Sequence, residues 1–253
     1  MTPLFKSHYS IGKSILTLEK SEKSVQNGPD SIIDIAKTGE LKEIFLVDDC
    51  MAGFLEAYKN CQEAKLNLRF GVRLTICENM DKKDEESLSS EHRLIVFIKN
   101  SEGYKDLVKI YSKSAIDGFY YRPRIDCSTL KKMWSKNLLL AVPFYDSFIF
   151  NNVLTFSICI PEIDFAEATL FTESNLLPFD DLLANHVKSY AEKNKLPVES
   201  AKSIYYKDRK DFSAYLTFRC INNRSTLEKP QLDHMSSAEF CYESYLDHGR
   251  SSS

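Results

Sequence analysis

The sequence predicts an α/β fold, and three observations support this. Short apolar runs of strand character alternate with stretches whose apolar residues recur at helical spacing. The 253 residues are 43% hydrophobic and 27% charged, which is typical of one globular domain with a buried core. No internal repeat and no convincing linker interrupts the pattern. Consecutive βα units close either into a barrel or into an open sheet, and in both the chemistry lies where strands end and helices begin.

The predicted elements follow one another in regular order along the chain. We expect strands at 44–47, 69–77, 93–98, 137–144 and 204–206, and helices at 51–61, 102–111, 182–194 and 208–221. The apolar residues that recur at helical spacing in the first helix are Met51, Phe54, Leu55, Tyr58 and Cys61. Residues 80–91 are polar without an apolar period and predict an exposed loop. Residues 247–253 are polar and predict a flexible C-terminal tail, which leaves one domain over 1–246.

Composition excludes several classes of protein. A net charge of −3, from 33 Lys+Arg against 36 Asp+Glu, argues against a histone-like DNA binder. The chain has 8 glycines and 5 histidines, and it lacks the G-x-S-x-G, P-loop and G-x-G-x-x-G motifs of α/β-hydrolases, P-loop proteins and dinucleotide-binding proteins. The seven cysteines are scattered singly, which favours free thiols in a reducing compartment. Without a signal peptide or an apolar run of membrane length, we expect a cytoplasmic protein with no membrane partner.

Polar residues near predicted strand ends are the first candidates for chemistry. Asp48 and Asp49 could ligate magnesium or manganese, whose preferred ligands are oxygens; alternatively they form a solvated loop in which one aspartate caps the next helix. No two histidines stand at chelating spacing, and His8 is the one most suited to a functional role. The other strand-end candidates are Arg73, Thr75, Ser203 and Tyr205.

An aromatic and basic segment at 119–124 suggests a second kind of contact. Tyr120, Tyr121, Arg122 and Arg124 could stack on bases and hold phosphates of a single strand. The alternative is that the aromatics are buried and the arginines pair with carboxylates. These residues alone leave the two interpretations open.

Two longer motifs resemble one family. Residues 100–109 (NSEGYKDLVK) and 118–126 (GFYYRPRID) resemble the "KNxxGYxNLxKL" helix and "GFYYKPRID" stretch of the PHP (polymerase and histidinol phosphatase) domain of bacterial replicative DNA polymerase III alpha subunits. Residues 7–10 (SHYS) are similar to the family's opening "HSEYS", and 187–197 to the helix before its "ATNDVHY" strand. The resemblance spans nearly the whole chain and implies a distorted (βα)₇ TIM-like barrel.

The resemblance also implies a site of histidines and carboxylates that holds manganese, zinc or magnesium for phosphoester hydrolysis. Carried over residue by residue, most of those ligands are lost here. The family's first two histidines fall on Leu4 and Lys6, and its Asp-His pair falls on Asp48 and Asp49. A glutamate falls on Arg73, and the next histidine falls on Arg93, with His92 one place away. A further histidine falls near Asn175, and the final Asp-x-His falls on Ser203 and Tyr205. Only Asp48 clearly remains, so we expect a salt-bridged cluster with no metal, no other cofactor and no catalytic residue.

The implied role is that of a degenerate PHP domain in a replicase, viral or phage-borne, in the cytoplasm of a bacterial host. Its expected partners are the rest of a polymerase III-type replicase and a proofreading exonuclease, with DNA contacted only through the polymerase. The chain fits either a part of such a polymerase or a stand-alone remnant. The alternative is an active metal-dependent phosphoesterase or 3′→5′ exonuclease with a rearranged site built on Asp48, Asp49, His8 and His92.

Overall fold

A computed structural model of the chain describes residues 1–20, 28–155, 157–160, 162–227 and 237–251. The strands are β1 Thr2–Phe5, β2 Glu43–Asp48, β3 Asn67–Cys77, β4 His92–Ile98, β5 Ile125–Asp126, β6 Leu138–Val142, β7 Ala168–Thr172 and β8 Val198–Ile204. The helices are α1 Ile32–Thr38, α2 Phe54–Ala64, α3 Ser101–Ile116, α4 Cys127–Met133, α5 Phe148–Phe150, α6 Asp180–Asn194, α7 Phe212–Asn223 and α8 Tyr242–Ser251. No helix among the described residues is long and apolar enough to cross a membrane.

The strands form one hydrogen-bonded sheet that closes into a ring. The strand order is β2-β1-β8-β7-β6-β4-β3-β5, and β2 also pairs with β3, so seven strands complete the ring and β5 is added beside β3. β4 is the exception to the parallel pattern, because it runs antiparallel to both β3 and β6. The predicted α/β class and the distorted barrel of seven strands are therefore confirmed.

The chain divides into two compact units, of which the first comprises 1–70, 173–180 and 201–253. In this unit β1 lies parallel to both β2 and β8, with Leu4 paired to Phe45 on one side and to Ser203 on the other. Its buried core is rich in aromatic residues, among them Phe5, Phe70, Tyr206, Tyr215 and Phe240. Because parallel strands end at the same edge, the residues after β1, β2 and β8 are brought close together.

The second unit comprises 71–172 and 181–200. Here β7 lies parallel to β6 and to the first part of β8. Helix α3 begins where the Asn100 side chain accepts a hydrogen bond from the Gly103 amide at 2.9 Å, which caps the first turn. Its buried face consists of Gly103, Leu107, Ile110 and Ser114. The single-domain boundary of 1–246 stays a prediction.

Three local predictions need correction. In α2 the predicted face included Leu55 and Tyr58, but both are exposed, and Ala57 and Cys61 are the buried residues. The strand predicted at 204–206 ends at Ile204, since Tyr206 forms only an isolated bridge with Cys241. The predicted tail begins inside α8: 247–251 are helical, while 252–253 lie outside the described residues.

Candidate functional site

The strand ends of the first unit bring together most of the residues at which the family's ligands are expected. Leu4 lies within β1 and is buried, while Lys6 follows that strand directly. Asp48 ends β2, and Asp49 follows it. Ser203 lies in β8, and the backbone amide of Lys6 donates to the Ile204 carbonyl at 3.2 Å. The edge predicted from the sequence therefore exists.

Asp48 is fully buried and its carboxylate accepts three hydrogen bonds from one short segment. Oδ1 accepts from the Ser7 amide at 2.9 Å and from Ser10 Oγ at 2.7 Å. Oδ2 accepts from Ser7 Oγ at 2.7 Å. A carboxylate that accepts several hydrogen bonds has its lone pairs directed at those donors. Asp48 thus fixes the 7–10 turn to the end of β2.

Asp49 lies between two lysines. Lys6 Nζ donates to Oδ1 at 2.9 Å, and Lys13 Nζ is 3.3 Å from Oδ2. The Lys6 side chain is only 4% exposed, so its ammonium is removed from water and depends on Asp49 for charge compensation. The predicted salt bridge between a lysine after β1 and an aspartate after β2 is therefore present, and Lys13 adds a second cation.

Glu173, directly after β7, is a buried carboxylate that the sequence analysis did not identify. Oε2 accepts from the Ser203 amide at 2.8 Å and from Asn175 Nδ2 at 3.0 Å, and Oε1 accepts from Ser203 Oγ at 2.8 Å. Burial raises the pKa of Glu173, while these hydrogen bonds and the charge of Lys202 act in the opposite direction. Two expected ligand positions, Asn175 and Ser203, thus hold this carboxylate.

Two further residues of this unit are fixed in the interior. Lys202 is fully buried and its Nζ donates to the Ser174 carbonyl at 2.9 Å; burial lowers its pKa, which Glu173 and Glu239 partly offset. The Tyr205 ring stacks on Phe240 at a centroid distance of 5.4 Å and on Tyr215 at 5.8 Å. Tyr205, at the position where the resemblance implies a final histidine, is therefore a core residue.

Arg73, Arg93 and His92 belong to the second unit. Arg73 Nη2 donates to Asp146 Oδ2 at 3.0 Å, and its side chain is 9% exposed. Arg93 lies on β4 and donates to the Thr75 hydroxyl. Both arginines lie within strands, not directly after them. They bring guanidinium groups, not carboxylates, to the positions expected for ligands.

His92 is a core histidine. It is 5% exposed, its ring packs edge-on against Phe148 at 5.8 Å, and Nδ1 lies 3.5 Å from the Ser90 carbonyl. Burial lowers the pKa of His92 to about 4, so the ring is neutral at neutral pH. His8 is exposed and its ring packs on Tyr9 at 4.4 Å. Across the described part of the chain, no group of three or more His, Cys, Asp or Glu side chains could hold a metal ion.

The aromatic and basic segment at 119–124 divides into a buried and an exposed part. Arg124 is fully buried: it donates to the Gly118 and Lys82 carbonyls, to Ser87 Oγ and to Glu91 Oε1. Of the two interpretations left open, Arg124 therefore fits the buried one, in which the arginine pairs with a carboxylate, and its side chain is not a surface contact. Arg122 Nε lies 2.8 Å from Glu91 Oε2, and Tyr120 is half-buried beneath the Arg124 guanidinium at 5.0 Å. Of the four candidates, Tyr121 is 75% exposed and the Arg122 side chain is 47% exposed.

Sequence reasoning missed Glu173, Lys202, Ser7 and Ser10, although a signal existed for some of them. Glu173 follows a strand in the same way as Asp49, but β7 was not among the predicted strands. The SHYS segment was singled out for its resemblance, while its two serines were not assigned to Asp48. Lys202 gave no signal, because a lysine in a strand is ordinarily expected on the solvent face.

The chain is similar to a known domain family and to several bacterial proteins. A PHP domain family model matches residues 7–156. The chain is 26% identical over 248 residues to the DNA polymerase III subunit alpha of Borreliella burgdorferi, an alignment that covers 87% of this chain and 21% of that protein. It is 31% identical over 125 residues to the same subunit of Chlamydia pneumoniae, with 47% and 10% covered. The aligned region thus spans about a fifth or less of these relatives.

Proposed function

The chain belongs to the PHP domain family, and from this membership we propose that it is the PHP-type domain of a DNA polymerase III alpha-type replicase, without phosphoesterase activity and with a scaffolding role. The similarity to alpha subunits of several bacteria supports the replicase context. Its partners would be the polymerase body and a proofreading exonuclease, and DNA would be contacted only within that assembly. These partners, and the viral or phage origin of the chain, are part of the proposal.

One observation carries the proposal: the Lys6 ammonium lies 2.9 Å from Asp49, in place of a metal ligand. A buried cation at this position compensates a carboxylate electrostatically, as a metal ion would, and it repels a second cation. The oxygens of Asp48 are already engaged by Ser7 and Ser10, and those of Asp49 by Lys6 and Lys13. Such a donor set does not fit manganese, zinc or magnesium.

The guanidinium groups of the second unit support the same conclusion. Arg73 and Arg93 stand where the family has a glutamate and a histidine, and each donates hydrogen bonds within its unit. An arginine cannot be deprotonated to become a ligand. His92, which the alternative interpretation uses as a ligand, is buried against Phe148. The alternative of a rearranged phosphoesterase therefore lacks an accessible set of ligands.

The test is elemental analysis of the purified chain, followed by hydrolysis assays on bis(p-nitrophenyl) phosphate and single-stranded DNA in manganese, zinc and magnesium. We expect metal well below one equivalent and a rate no higher than that of Asp48→Asn. The control is Asp181→Asn, which alters an exposed aspartate at the start of α6. One equivalent of metal, with activity that is lost in Asp48→Asn and kept in Asp181→Asn, would establish the rearranged phosphoesterase instead.

A further inference from the structure

A patch of exposed apolar side chains begins at the last residue of helix α3 in the second unit. Ile116 is 76% exposed, Phe119 is 50% exposed and Tyr121 is 75% exposed. Isolated exposed apolar residues are common, but three within six positions on one ordered turn are typical of an interaction surface. We call these three residues the 116–121 patch.

The 116–121 patch is held rigidly by the buried Arg124. Its Nε donates to the Gly118 carbonyl at 3.3 Å, and the Arg124 amide donates to the Ser114 carbonyl at 3.2 Å. A side chain on Gly118 would collide with the Arg124 carbonyl, so this close approach requires glycine. Preorganisation of this kind lowers the entropy cost of binding, because the surface is already ordered.

The same arginine joins the patch to an acidic segment. Arg124 Nη1 reaches Ser87 Oγ at 3.1 Å and Glu91 Oε1 at 3.3 Å, and Nη2 reaches the Lys82 carbonyl at 3.0 Å. Residues 78–91 contain six carboxylates against two lysines, a sequence charge of −4. Because Arg124 donates both to Gly118 and to residues 82, 87 and 91, it ties the acidic segment to the turn that carries the patch.

Exposed acidic side chains therefore border the apolar centre. Asp81, Asp84, Glu85 and Glu86 are all exposed, and Asp117 lies within the patch sequence itself. Lys82 and Lys113 are partly neutralised by Glu86 and Asp117, at 3.2 Å and 2.6 Å. An apolar centre with a charged rim is the usual composition of a protein interface.

We propose that the 116–121 patch and the acidic 78–91 segment together form a docking surface for a basic protein segment that inserts apolar side chains. The charge complementarity identifies the partner: lysines and arginines pair with the rim while leucine or an aromatic packs on Phe119 and Tyr121. A nucleic acid fits poorly, because the rim repels phosphates, Arg124 is buried and Arg122 pairs with Glu91. This proposal specifies the scaffolding role proposed above and rests on that role.

The test uses the 253-residue chain and a fluorescein-labelled lysine-rich peptide that carries leucine and tryptophan. Fluorescence anisotropy is measured with this peptide, with its glutamate counterpart and with labelled oligo(dT). We expect binding of the lysine peptide only, weakened by added salt. Phe119→Ser and Tyr121→Ser should each weaken it about tenfold, as loss of an interface anchor does, and Glu85→Lys should weaken it severalfold.

Matched controls place the same changes elsewhere. Ile221→Ser removes a side chain that is 71% exposed on α7, and Glu192→Lys reverses an exposed charge on α6. Both should bind the lysine peptide as the unaltered chain does, and circular dichroism should show that every variant is folded. No binding of the lysine peptide, equal binding by patch and control variants, or oligo(dT) binding that depends on Tyr121 would overturn the proposal. The hydrolysis assay measures a property separate from peptide binding. Failure of the docking proposal therefore does not imply failure of the proposed function, and the reverse also holds.

Discussion

At the scale of single residues, the same amino acid performs different tasks according to its hydrogen-bond partners. Asp48 occupies a position at which the resemblance implies a metal ligand, yet its three hydrogen bonds from Ser7 and Ser10 make it the anchor of a turn. Asp49, one position later, compensates the buried Lys6. Each carboxylate is satisfied locally, as buried charges must be.

His92 predicts how stability depends on pH. Its pKa falls from 6.5 to about 4 in the folded protein, because burial disfavours the charged ring. Between these pH values the unfolded chain binds the proton and the folded chain does not, so stability falls as the pH drops from 6.5 towards 4. The loss approaches about 3 kcal/mol, at 1.36 kcal/mol per pKa unit.

Urea unfolding at pH 7.5 and pH 5 measures this effect. His92→Leu removes the titrating group, and we expect the difference in unfolding free energy between the two pH values to shrink in that variant. His186→Leu, which changes an exposed histidine on α6, serves as the control and should keep the difference. An unchanged pH dependence in His92→Leu would contradict the assignment.

At the scale of elements, one arginine fixes the C-terminal helix. Arg209 binds Glu239 through two parallel hydrogen bonds of 3.0 Å, and Nη1 reaches Glu243 at 3.2 Å and Asp247 at 2.7 Å. The last two lie on α8, one turn apart. These contacts explain why residues that were predicted to form a tail are helical. Their sequence lacks apolar periodicity, but the Arg209 guanidinium, which lies outside the helix, pairs with two of its carboxylates.

Arg209→Gln should loosen α8. The pKa of Glu239 is lowered to about 2, chiefly by its hydrogen bonds with Arg209, so the pair contributes to stability wherever the carboxyl is ionised. Because the Arg209 side chain is about a third exposed, solvent screening limits the loss to about 1–2 kcal/mol. Hydrogen exchange of the α8 amides should accelerate in this variant.

Lys210→Gln is the matched control for the Arg209 variant. Lys210 is adjacent, its side chain is 77% exposed, and its pair with Asp208 at 3.4 Å is a surface contact. Exchange of α8 should be unaffected by this change. Equal acceleration in both variants would show that Arg209 does not anchor the helix.

At the scale of the whole molecule, several buried cations are compensated by partners from the protein itself. Lys6, Arg73 and Lys202 are buried or nearly so, and each donates to a carboxylate or a carbonyl within its unit. If these cations supply the positive charge, the folded state should not depend on a divalent ion.

Removal of metal tests this. Extended dialysis against EDTA should leave the thermal midpoint within about 1 °C of the untreated chain, and manganese should not raise it. Lys6→Met should lower the midpoint by several degrees, since breaking a buried pair costs about 3–5 kcal/mol. A midpoint that falls with EDTA and recovers with manganese would contradict the proposal that the fold needs no metal ion.

The sequence alone predicted the features that depend on local periodicity and on strand ends. Strands β2, β3 and β4 and helices α3 and α6 are close to the predicted ranges, because alternation and helical spacing reflect which face of an element is buried. The strand-end rule also identified Asp48, Asp49 and Ser203, and a lysine opposite the aspartates was expected from the resemblance.

Only the tertiary structure decided which of these residues are partners and which are buried. Glu173 lies 30 positions before Ser203, and Arg124 lies 33 positions after Glu91, so no local pattern links them. Burial of Arg124 divides the 119–124 segment into a buried anchor and an exposed part. The composition of the segment does not predict this division. Secondary structure follows from neighbours along the chain, whereas the chemistry of a site follows from neighbours in space.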